Sequence, residues 1–492
     1  MTYVLAIDQS TSATKAVLFD STGRVVDQAS REHRQIYPQA QWVEHDAEEI
    51  WQNVLTVLRE IAGRQADRLK AAIGLAITSQ RETVVIFDQR TGRPLRNAIV
   101  WQCGRGAPIC QKLADEGYDE TVRLKTGLKL DTYFSGSKLK WLAEAEPQIH
   151  QALEHGTAVV GTIDAYLVYR LTRHAVFATD PTNASRTLLF DIRKLRWDEE
   201  LCMLFNVPMR ALPEVRESFC RFGETDVEGI LPAKLPICGV MGDSQASLFA
   251  QGCYESGSGK ATFGSGTSVL INCGERFEPS ENQSVVALAW VRAGRPTYAV
   301  EGIINYSSAT VSWLKDQLRL IGDAAETETL AQAVEDNAGV YLVPAFAGLS
   351  APYWRPDARA AIVGMTAATR REHIVRAALE AIAYQIRDVL EMMRAHASVI
   401  PQVLYADGGP TRNAFLMQFT ADVTGAELRV AEVAESSARG AALAAMIGLG
   451  AIASLAELTA QPRDVRVYRR QMDTGKVDQL YSGWQQAVKR VL

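Results

Sequence analysis

Short apolar runs divided by small polar turns open this chain. Val4-Leu5-Ala6-Ile7 is apolar, Asp8-Gln9-Ser10-Thr11-Ser12-Ala13-Thr14-Lys15 is small and polar, and Ala16-Val17-Leu18-Phe19 is apolar again. That pattern predicts strand, tight turn, strand. The second half repeats it, where Phe263-Gly264-Ser265-Gly266-Thr267-Ser268 leads into Val269-Leu270-Ile271. Both turns offer hydroxyls and backbone N–H groups with few bulky side chains, a composition suited to phosphate oxygens. Two such hairpins imply two related domains gripping one phosphate chain from opposite sides.

Elsewhere the spacing turns helical. Ile50, Trp51, Val54, Leu55 and Leu58 predict a helix over 46–63, with Asp46 as N-cap and Glu48 and Glu49 in its first turn. Strands are predicted over 71–78 and 84–87, at Ile99-Val100, over 158–161 and over 235–241. In the second half, strands are predicted at 261–272, 285–293, 297–301 and 404–406, with helices at 308–321, 373–395, 413–423 and 440–449. Strands alternating with helices in both halves are the signature of an α/β protein. The polar, glycine-rich signals mostly follow strands, where ligands of such sheets bind. The boundary is expected between 243 and 256, giving domains 1–247 and 248–492 with a cleft between them.

Composition narrows the class. The chain has 492 residues, too many for one core, and its hydrophobic fraction of 47% is that of a globular protein. A net charge of −5, without blocks of one sign, argues against nucleic acid or an anionic membrane as partner. The uncharged run from Gly440 to Ala456 is short for a membrane span and reads as a buried helix. No signal-type segment is expected. Seven cysteines at 103, 110, 202, 220, 238, 253 and 273 include no Cys-x-x-Cys pair, which fits reduced thiols and a cytoplasmic protein. The histidines are dispersed, without a zinc-type cluster.

Several residues carry candidate chemistry. Asp8, at a strand end beside hydroxyls, can orient Mg²⁺-bound waters, and Lys15 can meet phosphate; a plain hairpin turn is the competing reading. Gly408-Gly409, with Asn413 opening a helix, lets backbone approach an anionic or planar ligand, or is an ordinary strand-to-helix turn. Arg81 and Glu82 together can read hydroxyls, which both donate and accept, or form a surface ion pair. Trp101 and Tyr133 supply a wall and a phenol for a small polyol, or simple packing. Asp243, after Gly242 at a strand end, is placed like a general base; a helix N-cap over Gln245-Ala246-Ser247 is the alternative.

Taken together these pieces resemble the FGGY family of carbohydrate kinases, its glycerol kinase branch most of all. Gln80-Arg81-Glu82-Thr83, Asn97-Ala98-Ile99-Val100-Trp101-Gln102-Cys103, Tyr133-Phe134-Ser135-Gly136 and Thr182-Asn183-Ala184-Ser185-Arg186-Thr187 carry the likeness. So do Trp42-Val43-Glu44-His45-Asp46, Pro344-Ala345-Phe346, Ala351-Pro352-Tyr353-Trp354 and the run from Ala360 to Glu380. The resemblance implies an actin-like ATPase fold of two ribonuclease-H-type domains, with ATP and Mg²⁺ as cofactors. It implies phosphorylation of a terminal hydroxyl of glycerol, or of another small polyol or ketose. By the same resemblance Asp243 is the base and Asp8 lies near the metal. Thr11, Ser12, Thr14 and Lys15 fall on the phosphate side, with Gly266 and Thr267 opposite. Ser308, Ala309, Ser312, Gly409 and Asn413 fall at the nucleotide, and Arg81, Glu82, Trp101, Tyr133, Asp243 and Ser244 at the polyol. A homodimer or homotetramer is the assembly considered.

The chain departs from that pattern in places. Ser10 stands for glycine and Lys15 for arginine, which loses the bidentate fork. Ser308 and Ser312 stand for glycine and glutamine. Ser244 stands for glutamine and Ser268 for a phenylalanine that walls the glycerol carbons. Without that wall, glycerol binding weakens by about 1–3 kcal/mol unless the space is refilled, and a larger polyol fits the same pocket. A non-kinase actin-like ATPase, or a sensor, is the reading from another class. Asp243 and the polyol-side set argue against both.

Overall fold

The structure, a computed structural model, describes residues 2–277, 284–355, 357–397, 401–431, 435–459 and 465–492. The first half builds a six-stranded sheet in the order Arg221–Thr225, Leu235–Gly242, Ala72–Ser79, Tyr3–Gln9, Ala13–Asp20, Val25–Glu32. The second builds a seven-stranded sheet in the order Val285–Arg292, Arg295–Ile304, Thr267–Gly274, Gly259–Phe263, Val403–Asp407, Glu427–Ala431, Val465–Tyr468. Each contains an antiparallel run of three strands, then two parallel strands, then an antiparallel one. The second adds Val285–Arg292 at its edge. The duplication read from the two hairpins therefore extends through the whole of each sheet, as an actin-like ATPase fold requires.

Burial explains the strand pattern. Every residue of Tyr3–Gln9 is buried, because helices cover both faces of the sheet. One face packs on the helix Ala47–Lys70 through Leu5, Ile7, Trp51, Val54 and Leu58. The other packs through Val4 and Ala6 on Ala441, Ala442 and Ala445 of the helix Ser436–Gly448. That helix and Asp243–Ala250 cross between the two sheets. Both are rich in small residues, and a Cβ on Gly440 would meet the Ala246 carbonyl oxygen at 1.8 Å. The uncharged run around Gly440 is thus a buried helix, and no described helix is long and apolar enough to cross a membrane.

Element ends differ from expectation for local reasons. The first helix runs on to Lys70, with non-helical angles at Gln65 and Asp46 capping Glu48 and Glu49. The helix expected over 308–321 stops at Asp316; Leu320 N–H then bonds Leu314 C=O at 2.9 Å, and the apolar Leu318, Leu320 and Ile321 belong to that turn. The segment 261–272 is two strands joined at Gly264–Gly266.

Candidate active site

Two neighbouring cavities share part of their lining. The first, about 770 Å³, is lined by polar groups that include Asp8, Lys15, Thr262, Asp407 and Glu435. The second, about 490 Å³, brings Ser308, Ser312, Gly409 and Asn413 together with the apolar Val311, Leu379, Ile382 and Leu416. Gly409 and Arg412 border both. A polar chamber beside a partly apolar one suits a phosphate chain continuing into a nucleoside.

The shared wall depends on glycine. Gly408 has φ +100, and a Cβ there would meet the Phe263 carbonyl oxygen at 1.9 Å. Gly409 has open space where its Cβ would stand. Asn413 caps the next helix by accepting from Leu416 N–H at 2.9 Å, and its amide donates to Thr327 at 3.1 Å.

The first hairpin sorts its residues by strand alternation. Asp8 and Lys15 are direct cross-strand partners and both line the first cavity. Thr14 pairs instead with Gln9, is fully buried, and points to the opposite face of the sheet. Ser12 is exposed at the turn. Thr11 accepts a bond from the Trp101 indole at 2.9 Å. Lys15 Nζ is held by Glu435 from the far half of the chain at 2.6 Å.

Asp8 Oδ1 is buried without a hydrogen-bond partner. Burial pushes the Asp8 carboxyl up to about 7; Lys15 opposes the shift, and Asp243 and Glu435 add to it. An orphan acceptor on a polar cavity fits a hydrated Mg²⁺. Among the described residues no group of three or more His, Cys, Asp or Glu could hold a metal.

The second hairpin is tied to the helix Ser308–Asp316. Ser308 and Ala309 N–H bond the carbonyls of Gly264 and Ser265 at 3.1 Å each, and Thr267 donates to Ser307 at 2.9 Å. A Cβ on Gly266 would meet Ile304 C=O at 2.3 Å. Gly266, Thr267 and Ala309 line neither of these two cavities, whereas Ser308 and Ser312 line the second.

The polyol-side candidates converge. Asp243 begins the helix after Leu235–Gly242, but Gly242 is the N-cap, and the Asp243 carboxylate caps none of Gln245, Ala246 or Ser247. It accepts from Ser244 N–H at 2.7 Å and pairs with Arg81 at 3.3 Å, and its side chain is 34% exposed. The capping alternative thus falls, and the carboxylate is left facing the cleft. Trp101 and Tyr133 rings lie 5.0 Å apart. Lys138, fully buried, donates to Thr132, Tyr133 and Phe134 carbonyls and fixes the turn that carries Tyr133. Burial lowers that amine to about 8.

Sequence reasoning missed two charged residues here. Glu301 and Arg186 are fully buried, with Glu301 2.9 Å from Arg81 and 2.6 Å from Arg186. Arg186 reaches Glu82 at 2.5 Å. Burial disfavours the charged form of Glu301, but Arg186 and Arg81 outweigh it and hold its carboxyl well below the usual range. The available signal was one charge inside the apolar run Tyr298-Ala299-Val300-Glu301-Gly302-Ile303-Ile304.

Known proteins resemble the chain along its whole length. The family models for the N-terminal and C-terminal domains of the FGGY family of carbohydrate kinases match residues 3–250 and 261–449. The chain is 45% identical to glycerol kinase 1 of Thermotoga maritima, covering 100% of this chain and 99% of that one. It is 46% identical to the glycerol kinase of Symbiobacterium thermophilum, covering 99% and 98%. A solved glycerol kinase of Plasmodium falciparum with ADP superposes with a TM-score of 0.94 at 37% identity, over 100% of this chain and 98% of that one. A xylulose kinase of Lactobacillus acidophilus shares the fold, with a TM-score of 0.89 at 20% identity over 99% of each. With both halves matched in order, and with full-length relatives well above the identity at which families are shared, the chain belongs to the FGGY family of carbohydrate kinases.

Proposed function

We propose that this chain transfers the γ-phosphoryl group of ATP to a terminal hydroxyl of glycerol, giving glycerol 3-phosphate and ADP. The observation that carries this is the pairing of Arg81 with Asp243 and of Trp101 with Tyr133, in a chain 45% identical end to end to a glycerol kinase and with a polar chamber lined by Asp8 and Lys15.

In this reading domain 1–247 binds the polyol and domain 248–492 the nucleotide. The adenosine lies among Ser308, Ser312, Gly409 and Asn413, and the phosphates run past Gly409 toward Lys15 and the two hairpins. Asp8 would hold Mg²⁺, which would supply charge neutralisation to the phosphates. Arg81 donates to the substrate hydroxyls and Glu82 accepts from them. Trp101 and Tyr133 wall the carbons. Asp243 accepts the proton of the attacking hydroxyl as its oxygen bonds the γ-phosphorus and the bond to the β–γ bridging oxygen breaks, leaving ADP. Full prior deprotonation is unnecessary, because the proton moves as charge develops. Cleft closure keeps water, a competing nucleophile, from the phosphoryl group. Such a protein works in the cytoplasm beside its ATP supply.

A second reading rests on Ser268, half-buried, whose small hydroxyl donates to Glu301 at 3.4 Å where the resemblance places a phenylalanine. There the substrate is a four- or five-carbon polyol or ketose. Steady-state kcat/KM for glycerol, erythritol, threitol, erythrulose and xylitol with ATP·Mg²⁺ separates the two. Glycerol is expected to lead; a longer substrate ahead by about tenfold, some 1.4 kcal/mol, moves the assignment to it. Excess EDTA should remove turnover, with recovery on adding Mg²⁺. Undiminished activity in EDTA would dismiss the metal role given to Asp8.

A further inference from the structure

We propose that Glu301 is a positioning residue of the polyol site, supplied to the N-terminal domain's binding groups by the C-terminal domain. The proposal rests on the polyol-kinase reading above and adds a residue to it.

Glu301 lies on the strand Arg295–Ile304 of the second sheet, between Leu270 and Val285 in register. Its carboxylate leaves that sheet's domain and meets the first. One oxygen accepts from Arg81 Nη2 at 2.9 Å, and the other takes Arg81 Nη1 at 3.3 Å and pairs with Arg186 Nη1 at 2.6 Å. The guanidinium of Arg81 is thus gripped along one edge, and its Nε is left 3.3 Å from Asp243. Arg186 passes the constraint on, since its Nε donates to Glu82 at 2.5 Å. One carboxylate from the other domain therefore fixes the direction of Arg81 directly and of Glu82 through Arg186.

Glu82 gives an independent sign that its position is imposed. It sits at φ +64, a left-handed conformation uncommon for a residue other than glycine. Such a conformation persists only where the surroundings over-determine it. The restraints are the Ser135 hydroxyl on the Glu82 carbonyl at 2.7 Å and Arg186 on its carboxylate.

Energetics links the arrangement to closure. A buried carboxylate is stable only while its partners are present, and losing a partner of a buried pair is strongly unfavourable. Glu301 has its two arginines only while the sheets stand as they do here. Separating the domains would leave Glu301 without either arginine and release Arg81 from its direction, while Arg186 keeps Glu82 within the first domain but loses the carboxylate that holds its own far end. The polyol site is then complete only in the shut cleft, so that polyol binding and closure favour one another.

The test is the kinetics of Glu301→Gln beside the wild type, using whichever polyol of the panel the wild type phosphorylates best. A wild type that phosphorylates none of them fails the functional reading, and equilibrium binding of glycerol to both proteins then tests the residue itself. The expected result is a KM, or Kd, for the polyol raised about tenfold or more, with KM for ATP changed less than about threefold. A residue that only stabilises the interface would lower the melting temperature and leave both constants alone; that result overturns the proposal. If the glutamine variant does not fold, Glu301→Asp keeps the charge and shortens its reach by one methylene. A rise of about threefold in polyol KM is expected there, and an unchanged value counts equally against the proposal.

Discussion

Asp243→Asn lowers kcat by about 10²–10⁴-fold and leaves nucleotide affinity within about twofold, the first figure being the usual worth of a positioned general base. The substitution is close to isosteric. An amide oxygen can still accept from Ser244 N–H, the bond now made at 2.7 Å. Arg81 loses one partner at 3.3 Å but keeps Glu301 at 2.9 Å, so no buried cation is stranded. The second cavity, where the adenosine is assigned, has no lining from Asp243. What disappears is a proton acceptor beside the attacking hydroxyl. A coupled assay for ADP release, with ATP binding followed by calorimetry, reads both halves of the expectation. Retention of a tenth or more of wild-type kcat would falsify the role given to this carboxylate.

Gly408→Ala strikes the other half of the reaction. Its φ of +100 is a conformation that an L side chain rarely adopts, and the new Cβ would stand 1.9 Å from the Phe263 carbonyl oxygen. Backbone strain and overpacking together cost about 2–5 kcal/mol. Relief can come only by moving the turn away from Phe263, the residue that starts the second hairpin, and that movement tilts the wall at Gly409 shared by both cavities. A fall in stability in urea should accompany a loss of ATP binding of about tenfold or more. Gly409→Ala is the informative partner, because its Cβ meets nothing within 4 Å. It should weaken nucleotide binding by crowding the ligand while leaving the urea midpoint unchanged. Equal stability losses in the two variants would mean that the contact with Phe263 is not what demands glycine at 408.

How much of this was legible in the sequence depends on the range of the interaction. The hairpins at Asp8 and Gly264 show in the sequence because strand alternation and turn residues are local signals. So does the cap at Asp46, and so does Asp243 at a strand end. That Asp243 does not cap its helix was not legible, since Gly242 takes the capping position. Thr14 was placed with Lys15 on the phosphate side by resemblance, yet adjacent strand residues face opposite ways, and Thr14 lies behind the sheet. Arg186 and Lys138 could not be read as buried groups, because a charged letter normally means a solvated side chain, and Glu301 showed itself only as the one charge in an apolar run. Their burial follows from partners far off in sequence, as with Arg81 and Glu301. The pairing of Lys15 with Glu435 is hidden for the same reason: it joins the first strands to the start of the helix Ser436–Gly448.

The near-contact of Gly440 with Ala246 has a mechanical consequence. Where Gly440 meets the Ala246 carbonyl no side chain separates the two helices, so a turn of one domain on the other would find its closest pivot there. One helix begins with Asp243 and the other lies just beyond Glu435. The two carboxylates thus stand close to that pivot, where a wide swing of the domain tips would become only a small displacement at the reacting atoms.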